Sequence, residues 1–68
     1  MGRINLKKFR IDLGLKSKEI AEKTYISRQH YSNIETGKVD PSHEYLEEFQ
    51  KVFNVDDKDM WGLFKKSE

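Results

Sequence analysis

Residues 14–38, from Gly14 to Lys38, read GLKSKEIAEKTYISRQHYSNIETGK and carry the most closely spaced helix start and stop signals in the chain. Ile20, Ala21 and Thr24 mark one face of a short helix whose N-cap is Ser17, or Lys16 if it starts a residue earlier. Tyr25-Ile26-Ser27 interrupts it. Ser27 is a good N-cap for a following helix, about Arg28 to Thr36, which Gly37 closes. A three-residue connection is too short for the two helices to lie side by side at full length. The second must leave the first at a steep angle.

That spacing is the one found in a helix-turn-helix, here spanning about 17–36. Upstream, Leu6, Phe9 and Leu13 repeat at spacings of three and four, which predicts a first helix from about Ile4 to Leu13 with Gly14 as its C-cap. On the other side, Asp40-Pro41-Ser42 is a turn, and Ser42 caps a fourth helix through Phe53. Its apolar stripe is Tyr45, Leu46, Phe49, Val52 and Phe53, and Asn54 is a reasonable stop. Asp56 with Asp59 three residues on reads as a variant capping box opening a fifth helix with Met60, Trp61 and Phe64. Tyr45, Phe49, Phe53, Trp61 and Phe64 are the expected core that holds the last two helices against the first three. The expectation is one all-α domain over 1–64, with 65–68 a frayed tail.

Sixty-eight residues allow one small domain, and a chain this short buries only about 60% of its unfolded surface. With no cysteine, disulfides are excluded. His30 and His43 have no partner at ligand spacing, so no metal and no other cofactor is expected. No nucleophile–base set, P-loop or dinucleotide motif is present, which argues against an enzyme and leaves no small-molecule ligand evident. No apolar run approaches the roughly 18 residues of a membrane span. With Met1 at the head and no signal-peptide pattern after it, a cytoplasmic location is expected.

The net charge of +1 hides an asymmetry. Residues 1–38 carry nine Lys and Arg against four acids, a net of +5, and residues 39–68 carry four lysines against eight acids, a net of −4. A basic half joined to an acidic half fits a polyanion-binding face backed by a surface that avoids the polyanion; ordinary surface charge with a chance asymmetry is the alternative.

At about 100° per residue the third helix separates into two faces. Tyr31 and Ile34 lie on one, with Ile26 just before them, and His30 falls at the boundary. Arg28, Gln29, Ser32, Asn33 and Thr36 form a polar arc on the other. The arc has an arginine and two amides but no acid and no lysine. Arginine can donate twice to guanine O6 and N7, and Gln and Asn match the adenine N6/N7 edge. An ordinary solvated face more often carries Glu and Lys.

The run from Gly14 to Lys38 resembles the helix-turn-helix of the phage repressor and Cro family, also called the XRE family. The resemblance rests on Gly14-Leu15, Glu19-Ile20-Ala21, Ile26-Ser27, Ile34-Glu35 and Gly37-Lys38. It extends forward through Pro41-Ser42 and Leu46 to Val55 and Met60-Trp61, and back to Leu6 and Arg10. It implies a compact five-helix, lambda-repressor-like domain that binds double-stranded DNA with its third helix in the major groove. By position it assigns Arg28, Gln29 and Asn33, with Ser32 close by, to base edges. It assigns Ser17, Ser27, Thr36 and Lys38 to the phosphate backbone. Arg10 and Glu35 take the positions of a structural ion pair joining the first helix to the end of the third. The family generally binds as a homodimer, and Trp61, Leu63 or Phe64 is the expected contact.

Three residues depart from the family pattern. Tyr25 stands where a turn glycine is usual, so it must carry a left-handed backbone or the turn must differ. Lys16-Ser17 replaces a Ser/Thr-Gln pair, which weakens the cap and shortens the phosphate contact. Tyr31 replaces an aliphatic core residue, and its hydroxyl needs a partner. The expected function is a sequence-specific transcriptional regulator, a repressor of the phage or mobile-element kind on a palindromic operator. The alternative is a protein-interaction module, an antitoxin-like partner binder on the same fold.

Overall fold

The computed structural model describes residues 2–66. These form five helices, α1 (Ile4–Asp12), α2 (Ser17–Lys23), α3 (Arg28–Glu35), α4 (His43–Phe53) and α5 (Asp57–Phe64), with no strand among the described residues. Local chemistry accounts for most boundaries. Gly14, at φ 73°, turns the chain out of α1 while its N–H donates to the Ile11 carbonyl at 2.9 Å. Ser27 Oγ accepts from the His30 N–H at 3.0 Å, and Ser42 Oγ from the Tyr45 N–H at 3.1 Å, so α3 and α4 each begin on a hydroxyl cap. Asn54, left-handed at φ 53°, ends α4. α1 and α3 each stop one residue short of the expected end, with Leu13 and Thr36 as their C-caps.

Two N-caps, Lys16 and Asp56, make no side-chain cap bond of their own, and the first is the second of the two options open for α2. Ser17 is the first helical residue of α2, and Lys16 is the N-cap. Lysine has no side-chain acceptor, so Glu19 reaches back instead, its Oε1 accepting from the Lys16 N–H at 2.7 Å. Asp56 caps α5 with no side-chain hydrogen bond. Asp59 is one methylene shorter than the glutamate of a capping box, and the neighbouring Asp57 is engaged by Gln50 Nε2 of α4.

Leu6, Ile20, Ala21, Tyr31, Ile34, Tyr45 and Phe49 are buried and join all of α1 to α4 in one core. Thr24 is buried with them; its hydroxyl donates to the Ile20 carbonyl at 2.8 Å and shares a 3.0 Å hydrogen bond with the Tyr45 hydroxyl, tying α2 to α4. The aromatic cluster differs from expectation at one member. Phe64 packs edge-on against Phe49 and Tyr45, but Trp61 is 71% exposed. α5 turns Met60, Leu63 and Phe64 inward, and Trp61 lies roughly 100° around the helix from Met60. Phe9 of α1 packs tilted against Phe49 and edge-on against Phe53 and completes the aromatic core. Of the expected tail, Lys65 and Lys66 are non-helical, while residues 67–68 lie outside the described residues.

Candidate nucleic-acid interface

The turn between α2 and α3 is built on Tyr25 at φ 63°, the left-handed conformation the usual glycine would supply. The Ile26 N–H donates to the Ala21 carbonyl at 3.1 Å, closing the end of α2. Ile26 then packs against the core, and α3 begins two residues further on at Arg28.

With Tyr31 and Ile34 buried, α3 can present only its other face. Arg28 and Gln29 are exposed there, and Ser32 and Asn33 are half-buried. Gln29 Nε2 donates to Asn33 Oδ1 at 3.0 Å, which links two of these residues across one helical turn. That bond uses neither Gln29 Oε1 nor the Asn33 amide N–H groups, an acceptor and donors that remain available to a partner.

Ser17 is half-buried at the first turn of α2, and Ser27 and Lys38 are exposed at the start and beyond the end of α3. The Ser27 oxygen accepts from His30, which leaves its hydroxyl proton to donate elsewhere. Thr36 differs. Its hydroxyl donates to the Ser32 carbonyl at 2.9 Å, with the Asn33 carbonyl at 3.3 Å, so any outside acceptor must compete with the helix for that proton.

Behind this face, Glu35 accepts from three donors. Arg10 Nε lies 2.9 Å from Oε2, Arg10 Nη2 lies 3.2 Å from Oε1, and the Tyr31 hydroxyl donates to Oε2 at 2.7 Å. Arg10 also donates to the Leu15 carbonyl at 3.0 Å. The hydrogen bond to Glu35 raises the Arg10 pKa further, so the guanidinium stays charged. Burial, then the hydrogen bond to Glu35, pushes the Tyr31 phenol far above its ordinary range. Arg10 and Glu35 thus fix the end of α3 to α1, and the tyrosine hydroxyl has its partner.

Sequence reasoning missed Arg3, which entered only the charge count of residues 1–38. Arg3 is buried and donates to backbone carbonyls of Ile34, Val39 and Phe64 and to Asp40. Hydrogen bonds from Arg3, then from Lys66, hold the Asp40 carboxyl below the usual carboxylate range. No local pattern announces such a residue, because three of its acceptors are main-chain oxygens and all four are remote in sequence. His43 stands 3.3 Å from Glu47 one turn on, an exposed pair. Among the described residues no helix is long and apolar enough to cross a membrane.

A family model described as Helix-turn-helix (HTH_3) matches residues 6–59, from Leu6 in α1 to Asp59 in α5. The chain belongs to this family, the XRE type of Cro-like helix-turn-helix proteins. It is accordingly a DNA-binding regulator of the XRE type, built on a five-helix all-α domain. Neither the curated proteins nor the solved structures compared with it gave a match.

Proposed function

We propose that this protein is a repressor of the phage or mobile-element kind, working in the cytoplasm, whose single domain over residues 1–64 binds a palindromic operator as a homodimer. The observation that carries the reading is the exposed arc of α3: Arg28 and Gln29, with the amide of Gln29 bonded to that of Asn33, and no acid or lysine among them. Arg28, Gln29, Ser32 and Asn33 read base edges in the major groove. Ser17, Ser27, Thr36 and Lys38 hold the phosphates, Ser27 with a free proton and Thr36 after releasing its helix carbonyl. Two subunits place their recognition helices in half-sites about 34 Å apart.

The dimer contact centres on Trp61, whose exposed ring lines a groove with Leu46, Met60 and Phe64. Glu47, Asp57 and Lys65 line the same groove, so both signs of charge are available to a self-complementary two-fold contact. Phe64 also packs against the core, whereas Leu63 lines a separate groove with Phe9 and Phe53.

Selection from a random duplex library tests the whole reading. The expected outcome is an enriched palindrome with half-sites one helical turn apart. Recovery of no motif, together with no salt-dependent binding to random DNA, would favour a partner-binding role on the same fold.

A further inference from the structure

Arg3 occupies a position that the DNA-contact assignments do not use. Its side chain is only 4% exposed. Nη1 donates to the Ile34 carbonyl at 2.6 Å, in the last turn of α3, and to the Val39 carbonyl at 3.1 Å. Nη2 donates to Asp40 Oδ1 at 2.7 Å, and Nε to the Phe64 carbonyl at 2.8 Å, where α5 ends. The Arg3 backbone N–H adds a bond to the Glu35 carbonyl at 2.8 Å. Carbonyls in the last turn of a helix have no partner within it, and a cation there is favoured by the helix dipole. One planar guanidinium supplies both α3 and α5 at once.

These acceptors bracket the exit from the recognition helix. Ile34 and Glu35 precede Thr36-Gly37-Lys38, and Val39 and Asp40 follow it. Gly37 is left-handed at φ 86°, so the chain reverses sharply between the two groups of acceptors. Gly2 packs here too, where an added Cβ would stand 3.2 Å from the Glu35 carbonyl oxygen.

We propose that Arg3 is a positioning residue for DNA binding: it holds the segment 36–40 against the end of α3 and so sets where the Lys38 ammonium stands beside the recognition helix. The inference rests on the reading of Lys38 as a phosphate contact. A lysine at position 3 keeps the charge but offers a point of three donors, which cannot span carbonyls on two helices and the loop as the arginine fork does.

The test is a double-mutant cycle on affinity for a random-sequence duplex at low salt, using wild type, Lys38→Ala, Arg3→Lys and the double variant. Each affinity is corrected for the folded fraction measured by circular dichroism at the same temperature. In the wild-type background Lys38→Ala weakens binding about three- to tenfold, and in the Arg3→Lys background less than about twofold. A purely structural role for Arg3 would make Arg3→Lys lower the folded fraction alike with and without Lys38→Ala, and after the correction would leave no coupling. An equal factor in both backgrounds overturns the inference and leaves Lys38 as a phosphate contact. No effect of Lys38→Ala in the wild type overturns that reading instead, and the inference with it. If Arg3→Lys melts below the assay temperature, Asp40→Asn and Asp40→Ala decide. They remove the same charge, but only the first keeps an acceptor for Nη2. The cost of Lys38→Ala is smaller beside Asp40→Ala than beside Asp40→Asn, and equal costs overturn the inference.

Discussion

Arg10 and Glu35 face each other from different helices with Nε and Nη2 at 2.9 and 3.2 Å from the two carboxylate oxygens, and little of either side chain reaches solvent. This pair, rather than the short turn alone, fixes the far end of α3 to α1. Replacing Arg10 by Met leaves a carboxylate with only the tyrosine hydroxyl as partner. Unfolding in urea is expected to show a loss of about 3 kcal/mol, at the lower end of the range for breaking a buried pair. A loss below about 1 kcal/mol would place the pair among surface ion pairs.

Alkaline pH acts on the same network. Tyr31 and Tyr45 both have their phenols pushed above the ordinary value of 10.0, chiefly by burial. The folded chain therefore keeps protons that the unfolded chain releases. This contribution to stability is complete below pH 10 and declines as pH rises above it, by at most about 1.4 kcal/mol per pH unit for each phenol. Urea midpoints measured from about pH 8 to 11 should fall beyond pH 10. Tyr31→Phe should make that fall shallower, whatever it does to the midpoint at neutral pH.

Tyr25 holds a left-handed backbone with 80% of its surface exposed, so its side chain contributes little packing to offset the strain. Tyr25→Gly removes about 1–2 kcal/mol of strain and adds roughly 0.5–1 kcal/mol of unfolded-state entropy. The expected net is a gain of about 0.5–1 kcal/mol, read as a higher denaturation midpoint. A loss would show that the ring makes contacts of its own.

Base reading and phosphate holding separate by mutation. Arg28→Ala or Gln29→Ala should relax base preference by about 1–3 kcal/mol at one operator position. Lys38→Ala should weaken binding to every sequence and flatten the salt slope by about one unit. If all three variants lose specific and nonspecific binding in equal measure, the division of roles is wrong.

Trp61 offers a test of self-association that spares the core. It is the sole tryptophan and is 71% exposed, with the Lys65 ammonium 5.1 Å from its ring centre. Trp61→Ser should leave the melting midpoint of a dilute sample unchanged and shift sedimentation at micromolar concentration toward the monomer. A wild type that sediments as a monomer both with and without operator DNA would refute the dimer.

The elements most legible in the sequence are those whose signals are local. Ser27 and Gly37 bound α3 within a residue, and the alternation of Tyr31 and Ile34 with the polar arc gave its orientation, because capping and helical period act over one or two turns. Ser42 and Asn54 bounded α4 in the same way. Trp61 was misplaced because α5 is eight residues long, too short for hydrophobicity alone to say which of four apolar side chains lies outside. Arg3 was not legible at all. Three of its acceptors are carbonyl oxygens 31, 36 and 61 residues away, and every residue has a carbonyl; the fourth, the Asp40 carboxylate, is 37 residues away. The pairing of Gln29 with Asn33 was within reach at i,i+4 spacing; what the sequence left open was whether those amides would turn to each other or to solvent.

Tyr31 and Ile34 look inward from α3, whereas the amides of Gln29 and Asn33 find each other on its outer side. Scaffold and proposed reading surface thus occupy one helix without sharing side chains. Substitutions along the outer arc leave the core intact, so a lineage carrying this domain can drift from one operator to another through intermediates that all still fold. The inner face has no such freedom. The same helix is therefore expected to evolve at two speeds.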